Sequence, residues 1–188
     1  MWVKKEIIAL GGKSKLEFGS LDATLNRVPY ALTISDLSAE DHPLVFMNNA
    51  FRTMTGCTDA QLGQNCRFLQ ADFENEQARA EIRLALETGQ RTQVVLRNRR
   101  LDGKPFSNLL LLEPIKTADS VSKLALGAQF ALTDSEVLEI EADKGVPKSA
   151  SIEAAHNMAL SLRLERRRIA ANSAVQLLQS WLTLKELS

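Results

Sequence analysis

The chain combines segments in which apolar residues recur at every second position with segments in which they recur at every third or fourth. The first pattern is typical of strands and the second of helices. Alternation predicts a strand over Thr92–Arg99, and the Asp102-Gly103 pair that follows it predicts a hairpin turn. Runs of β-forming residues bounded by turn residues predict four further strands. These are Tyr30–Asp36, Pro43–Asn49, Phe106–Ile115 and Leu124–Thr133.

The clearest predicted helix is Asn75–Thr88, because four apolar residues share one of its faces and Gly89 follows it. Those four residues are Ala78, Ile82, Ala85 and Leu86. Shorter helices are expected over Ala50–Thr55 and at Ala60–Leu62, where Asp59 can cap the turn. Two strands, then helices, then a three-stranded antiparallel meander indicate an α+β fold.

Both ends of the chain are predicted to be helical extensions of one central domain. Residues 1–26 are expected to form a cap that either covers the core or contacts a second molecule, and residues 27–134 to form the domain. Residues 135–188 are expected to form a linker helix and a helical hairpin with a turn at Ala170–Ser173. Three uses of that hairpin stay open: association with a second copy, docking to a partner protein, and DNA binding as a helix-turn-helix.

Composition excludes several classes of protein. Of the 188 residues, 45% are apolar, which is enough for a packed core. Lys and Arg total 23, as do Asp and Glu, so no overall field attracts nucleic acid or membrane. Two cysteines are too few for a disulfide framework, and no cysteine–histidine spacing suits a metal. Without a signal peptide or a long apolar run, we expect a reduced, cytoplasmic protein.

The candidate chemistry centres on Cys66, which lies in the run Asn65-Cys66-Arg67-Phe68-Leu69-Gln70. A free cysteine is usually a small, inert hydrophobe, but here a cation and two amides flank it. Such neighbours suit a planar, hydrogen-bonding ligand that bears a phosphate. Asn98 and Asn108 each lie near the middle of an otherwise apolar strand. An unpaired amide there would cost about 1–3 kcal/mol, so we expect a bound polar partner.

The run around Cys66 resembles the adduct-forming motif of LOV domains, the blue-light-sensing flavin branch of the PAS superfamily. The resemblance covers roughly Leu32 to Asp134. It implies a five-stranded antiparallel sheet with helices on one face and a bound flavin. It also implies that Cys66 bonds reversibly to the flavin C4a carbon on illumination, and that Gln129 rotates its amide in response.

The resemblance also assigns further residues to parts of the flavin. It places Asn98, Asn108 and Gln129 at the ring edge, and Asn65 and Gln70 along the ribityl chain and ring. It assigns Arg67 and Arg83 to the phosphate, although Arg83 could instead pair with Glu87 on an exposed helix face. The other expected flavin contacts are Thr33, Ser35, Leu69 and Leu110. The short segment from Gln70 to Ile82 favours FMN, with FAD as the alternative.

The resulting hypothesis is a blue-light photoreceptor that is not an enzyme, since the chain has no room for a kinase, cyclase or phosphodiesterase. It would signal through altered helix packing or dimerisation, as a light-dependent homodimer or with a partner protein, and without a membrane. The alternatives are a flavin-based redox sensor, a light-regulated helix-turn-helix DNA-binding protein, and a PAS interaction module without flavin.

Overall fold

The computed structural model describes residues 20–116, 122–143 and 152–186. Within them, five strands form one antiparallel sheet in the order β2-β1-β5-β4-β3. The strands are β1 (Ala31–Asp36), β2 (Leu44–Met47), β3 (Thr92–Arg99), β4 (Pro105–Lys116) and β5 (Ser122–Leu132). All five predicted strands and the α+β fold class are confirmed.

One face of the sheet, here called the inner face, is covered by helices between β2 and β3. These are α2 (Asn49–Thr55), α3 (Glu76–Thr88) and two short 3₁₀ turns, Asp59–Gln61 and Cys66–Gln70. Gly56 and Gly89 end α2 and α3 with positive φ angles of 79° and 63°. The prediction that Asp59 caps the first 3₁₀ turn is wrong. Thr58 caps it and forms a capping box with Gln61, while Asp59 pairs with Arg52.

The opposite, outer face of the sheet is also covered, by α1 (Ser20–Asn26) and α5 (Ile152–Glu186). Leu21 and Leu25 of α1 pack with Leu178 of α5 in a cluster that includes the outward apolar residues of β1 and β5. The predicted helices over one face are therefore present, and a second helical layer completes the core. Residues 1–19 of the expected N-terminal cap lie outside the described residues.

The C-terminal part of the described chain contains a long, unbroken helix. After β5 the chain enters α4 (Asp134–Asp143), and α5 then runs for 35 residues through Ala170–Ser173 without a break. The predicted helical hairpin with a turn at Ala170–Ser173 is wrong, and a helix-turn-helix at that point is excluded. Asn and Ser lower helix propensity by only a few tenths of a kcal/mol, and neither Gly nor Pro is present to end the helix.

Across residues 20–116, 122–143 and 152–186, no helix combines the length and the apolar character that a bilayer crossing requires.

Candidate functional site

Three polar side chains on neighbouring strands form a buried hydrogen-bonded row on the inner face. Asn108 Nδ2 of β4 donates to Gln129 Oε1 of β5 over 2.9 Å, and Gln129 Nε2 donates to Thr33 Oγ1 of β1 over 3.2 Å. Each of the three residues is at most 5% exposed. The two bonds fix the Gln129 amide with its oxygen toward β4 and its nitrogen toward β1.

Two buried amide oxygens beside this row lack a hydrogen-bond partner among the described residues. They are Asn98 Oδ1 of β3 and Asn108 Oδ1 of β4. Asn98 faces Phe106 across the ladder and Asn108 faces Leu96, so the two asparagines lie two positions apart on the same face. Each unpaired oxygen costs about 1–3 kcal/mol unless a donor reaches it. The pair therefore fits a ligand whose edge carries N–H donors.

Gly127 of β5 keeps the inner face open next to Gln129. A Cβ atom at Gly127 would lie 2.8 Å from Thr33 Oγ1 and 3.3 Å from Leu110 Cδ1. Thr33 accepts the bond from Gln129, so a side chain at position 127 would displace a member of the row. The glycine thus leaves room for Thr33 and Leu110, which were both predicted to contact the flavin.

Cys66 begins the 3₁₀ turn that faces this part of the sheet. Asn65 caps the turn, because its Oδ1 accepts from the Arg67 backbone N–H over 2.9 Å. The Cys66 side chain is half-buried and packs against an apolar cluster that contains Phe51, Cys57 and the fully buried Leu69. This packing holds the thiol in an apolar environment.

Burial raises the pKa of the Cys66 thiol to about 12, with a further rise from the nearby Cys57 and an opposing hydrogen bond with Gln129. The thiol therefore stays protonated at neutral pH. The Gln129 amide is close enough to lower the pKa of the Cys66 thiol, so the 3₁₀ turn lies beside the amide row on the central strand of the sheet.

The remaining predicted site residues are placed less closely together. Both polar atoms of the Asn65 amide have partners within the protein. Its Oδ1 accepts from the Arg67 N–H, and its Nδ2 donates to the Asp41 carbonyl over 2.6 Å. Arg67 is exposed and forms an ion pair with Asp41, and Arg83 is exposed on α3. Ser35 is half-buried at the register shift between β1 and β2. The structure does not bring these four residues into the amide row.

Gln70 is buried and accepts a hydrogen bond from Arg79 Nε over 2.6 Å. Arg79 is not among the site residues predicted from the sequence. The sequence does contain a signal that could have identified Arg79. It precedes Arg83 by four residues, so both arginines lie on the same side of α3.

Comparisons with known proteins agree with the fold. A family profile described as "PAS domain" matches residues 29–134. The crystal structure of a Rhodobacter sphaeroides LOV protein is 37% identical, with a TM-score of 0.59, and the match covers 86% of this chain and 93% of that one. A LOV domain from an Erythrobacter litoralis blue-light-activated histidine kinase is 34% identical, with a TM-score of 0.55, over 57% of this chain and all of that one.

This chain belongs to the LOV family of PAS domains.

Longer relatives of this LOV protein carry light-related names. The "Blue-light photoreceptor" of Listeria monocytogenes is 32% identical over 131 residues, which are 69% of this chain and 51% of that protein. "Blue-light-activated histidine kinase 2" of Erythrobacter litoralis is 35% identical over 111 residues, 58% of this chain and 32% of that protein. The LOV protein thus spans about a third to a half of these relatives. Their names support a light-sensing function for the shared domain.

Proposed function

We propose that this LOV protein is a blue-light photoreceptor that binds FMN beside Cys66. The observation that carries the proposal is the pair of unpaired, buried amide oxygens on Asn98 and Asn108. They lie beside a row of amides that also contacts the cysteine thiol. A buried polar edge next to a protonated thiol suits a flavin ring, whose pyrimidine edge alternates donors and acceptors.

A bound flavin would supply the chromophore and, once excited by blue light, an electrophilic carbon for the Cys66 sulfur. The protein's own part is to hold and orient. Asn98 and Asn108 would offer acceptor oxygens to the one N–H of the ring edge and NH₂ donors to its two carbonyl oxygens, while Gln129 can present either its oxygen or its nitrogen. Burial keeps the Cys66 proton in place in darkness, so the thiol is available without a nearby histidine.

Arg67 and Arg83 remain our proposed ligands for the flavin phosphate, because an arginine fork matches phosphate oxygens. Arg67 is 60% exposed and its ion-pair partner Asp41 is 55% exposed. An ion pair as exposed as this one is worth only about 0–1 kcal/mol, so Arg67 can leave Asp41 for a phosphate at little cost.

The raised pKa of Cys66 argues against a redox sensor that reacts through this thiol, although it does not bear on one that works through the flavin alone. A redox-sensing cysteine reacts as its thiolate and is selected for a low pKa. Cys66 has a pKa of about 12, which leaves almost no thiolate at neutral pH. Addition to an excited ligand does not need the thiolate. A protonated Cys66 is therefore better suited to photochemical addition than to a redox reaction of the thiol.

We infer that the signal leaves the site through β5. Gln129 faces the inner side, and its neighbour Phe130 faces the outer side, where Tyr30 stacks on it at 5.4 Å. The guanidinium of Arg167 on α5 lies 5.4 Å from the centre of the Phe130 ring. A hydrogen-bond exchange at Gln129 is worth about 0.5–1.5 kcal/mol and shifts a two-state equilibrium by about tenfold at most. The contact between β5 and α5 can therefore respond only if its two states have nearly equal free energies in the dark.

We also propose that the output is association rather than catalysis, with a homodimer as the main partner. The side of α5 that faces away from the sheet carries four exposed apolar residues at spacings of seven or eight. They are Leu162, Ile169, Leu177 and Leu184. Such a stripe favours pairing with another helix.

The test of the proposal is the absorption spectrum of the purified protein before and after blue light, with the released cofactor identified by chromatography. We expect a yellow protein that carries FMN and loses its blue absorption band reversibly. A colourless preparation that takes up no added FMN would contradict the proposal.

A further inference from the structure

Thr33 of β1 contacts Gln129 of β5 at one end of the amide row. The two residues are diagonal neighbours on the inner face, because Thr33 pairs with Gly127 and Ala31 pairs with Gln129. Thr33 Oγ1 accepts from Gln129 Nε2 over 3.2 Å and donates to the Gly127 carbonyl over 3.5 Å. Thr33 is 5% exposed and Gln129 is 3% exposed, so water competes little for these bonds.

Gly127 makes the contact between Thr33 and Gln129 possible. A Cβ atom at Gly127 would lie 2.8 Å from Thr33 Oγ1 and 3.8 Å from Gln129 Nε2. It would therefore push the hydroxyl away from the amide. The missing side chain on β5 admits the hydroxyl from β1, and this places Thr33 within reach of Gln129.

The hydroxyl of Thr33 can bond to the Gln129 amide in either of its two directions. A hydroxyl both accepts and donates, whereas the two ends of a side-chain amide have fixed roles. In the present direction, Thr33 accepts from the Gln129 NH₂ group and donates to the Gly127 carbonyl. After a half-turn of the amide, the same hydroxyl would donate to Gln129 Oε1 and leave the Gly127 carbonyl. Thr33 thus forms two bonds in the first direction and one in the second.

Asn108, at the other end of the row, favours the same present direction. Its Nδ2 donates to Gln129 Oε1 over 2.9 Å. After a half-turn of Gln129 that donor would face the Gln129 NH₂ group, unless Asn108 turned its own amide as well. Of the two neighbours, Thr33 is the one that can stay bonded by turning a hydroxyl hydrogen alone.

We propose that Thr33 is a positioning residue that holds the Gln129 amide in one direction in darkness and stays bonded to it, as a donor, after the amide reverses. Because the dark direction has one more bond at Thr33, this residue favours the return to darkness. The inference rests on the photoreceptor function proposed above and adds a residue that controls the lifetime of its light state.

The first measurement is the rate of dark recovery after a pulse of blue light. Thr33→Val keeps the approximate shape of the side chain and removes the hydroxyl. We expect recovery about three- to tenfold slower in this variant, because the dark direction loses two bonds and the reversed direction loses one. Thr33→Ser keeps the hydroxyl and should recover at nearly the rate of the unaltered protein.

The second measurement needs neither flavin nor light. It is the NMR signal of the Gln129 side-chain NH₂ group in flavin-free protein, assigned by its loss in Gln129→Leu. In Thr33→Val this signal should move to lower chemical shift, because the group loses its acceptor. In Thr33→Ser the signal should stay close to that of the unaltered protein.

Ser107→Ala is the matched control for both measurements. Ser107 of β4 is 4% exposed, and its Oγ accepts from Arg97 Nη1 over 3.1 Å. It neighbours Asn108 in sequence and therefore lies on the opposite face of the sheet. Loss of this buried hydroxyl should change neither the recovery rate nor the Gln129 signal.

Three results would overturn the inference while the unaltered protein still bleaches and recovers. They are unchanged or faster recovery in Thr33→Val, an unchanged Gln129 signal in that variant, and equal changes in Ser107→Ala. An unaltered protein that binds no flavin, or does not bleach, would instead remove the proposed function and with it the control of lifetime. The NMR comparison would still decide whether Thr33 holds Gln129.

Discussion

At the scale of single residues, a buried asparagine with an unpaired oxygen lowers the stability of the folded chain, and a ligand bound there would offset that cost. Asn98 is 3% exposed, and its Oδ1 lacks a partner among the described residues. Asn75 is the contrasting case, because both ends of its buried amide bond to the Arg97 backbone over 2.9 Å. Asn98 is therefore a candidate for binding a ligand, whereas the hydrogen bonds of Asn75 give it a structural role.

Asn98→Leu should have opposite effects on stability and on flavin binding. We expect the flavin-free protein to be unchanged or more stable by about 1 kcal/mol, because an apolar group replaces an unsatisfied one. FMN affinity should fall by about tenfold or more, since a hydrogen-bond acceptor for the ring edge is lost. Denaturant unfolding of the stripped protein and flavin titration measure the two effects.

Asn75→Leu is the matched control for that variant. It should destabilise the flavin-free protein by about 2 kcal/mol, because two backbone groups of Arg97 lose their partner. If Asn98→Leu destabilises the stripped protein as much as Asn75→Leu does, Asn98 is a structural residue and not a ligand-binding one.

Much of the amide row could be predicted from the sequence, and part of the site could not. Asn108 stands out because a polar residue interrupts an apolar strand, and Asn98 because it lies on the apolar face of β3. Both signals are local. The bond between Arg79 and Gln70 depends on how α3 returns toward the 3₁₀ turn, which no local pattern specifies. Arg67 was expected at a phosphate, but its ion pair with Asp41 depends on the path of the loop before β2.

At the scale of elements, α5 is held to the end of β5 by a buried ion pair. Glu136 of α4 is 5% exposed and accepts a hydrogen bond from Arg167 Nη2 over 2.9 Å, with Arg163 at 3.9 Å. Burial alone would raise the pKa of Glu136, but bonds from Thr133 and the charges of Arg167 and Arg163 outweigh it and hold the pKa below its usual value. The pair thus stabilises α5 on the sheet while Glu136 is ionised.

Arg167→Met should loosen α5 selectively. Removing one partner of a buried ion pair costs up to about 3 kcal/mol, since Glu136 would keep only the more distant Arg163 and its bonds from Thr133. We expect hydrogen exchange of the α5 amides to accelerate while β3 and β4 stay protected. Arg166→Met removes the same charge from an exposed neighbour and should have little effect. Equal acceleration in both variants would show that net charge, and not the ion pair, holds α5.

The same contact predicts a dependence on pH. Because the pKa of Glu136 in the folded state lies below its ordinary value of 4.5, its stabilising effect is complete above that value and declines as the pH falls further. Protection of α5 should therefore decrease below about pH 4.5 in the unaltered protein. In the Glu136→Gln variant, the hydrogen-exchange protection of α5 should already be lower at neutral pH. It should not decrease further as the pH falls below about 4.5.

The C-terminal helix shows where local patterns stop being informative. Ala170–Ser173 was predicted to be a turn because small and polar residues separate two apolar stripes. Tertiary contacts decide otherwise, since Ala171, Ala174 and Val175 pack on the outer face of the sheet and favour an uninterrupted helix. The strands were predictable because each repeats a clear pattern between turn residues.

At the scale of the whole molecule, the exposed stripe on α5 predicts self-association. Ile169→Glu should weaken dimerisation by about tenfold or more, because a charge would be buried between two helices. Gln179→Glu adds the same charge at an exposed position off the stripe and is the matched control. Light scattering coupled to size exclusion, in darkness and under blue light, measures the mass. A monomer under both conditions would contradict the proposed homodimer.

The most direct test of the central claim compares the two cysteines under illumination. Cys66→Ala and Cys57→Ala each remove one thiol from the same apolar cluster, and both should retain a bound, yellow flavin. We expect that the Cys57 variant, like the unaltered protein, loses its blue absorption band in light and recovers it in darkness. The Cys66 variant should keep that band unchanged under the same light. Reversible bleaching that persists without the Cys66 thiol would contradict the account.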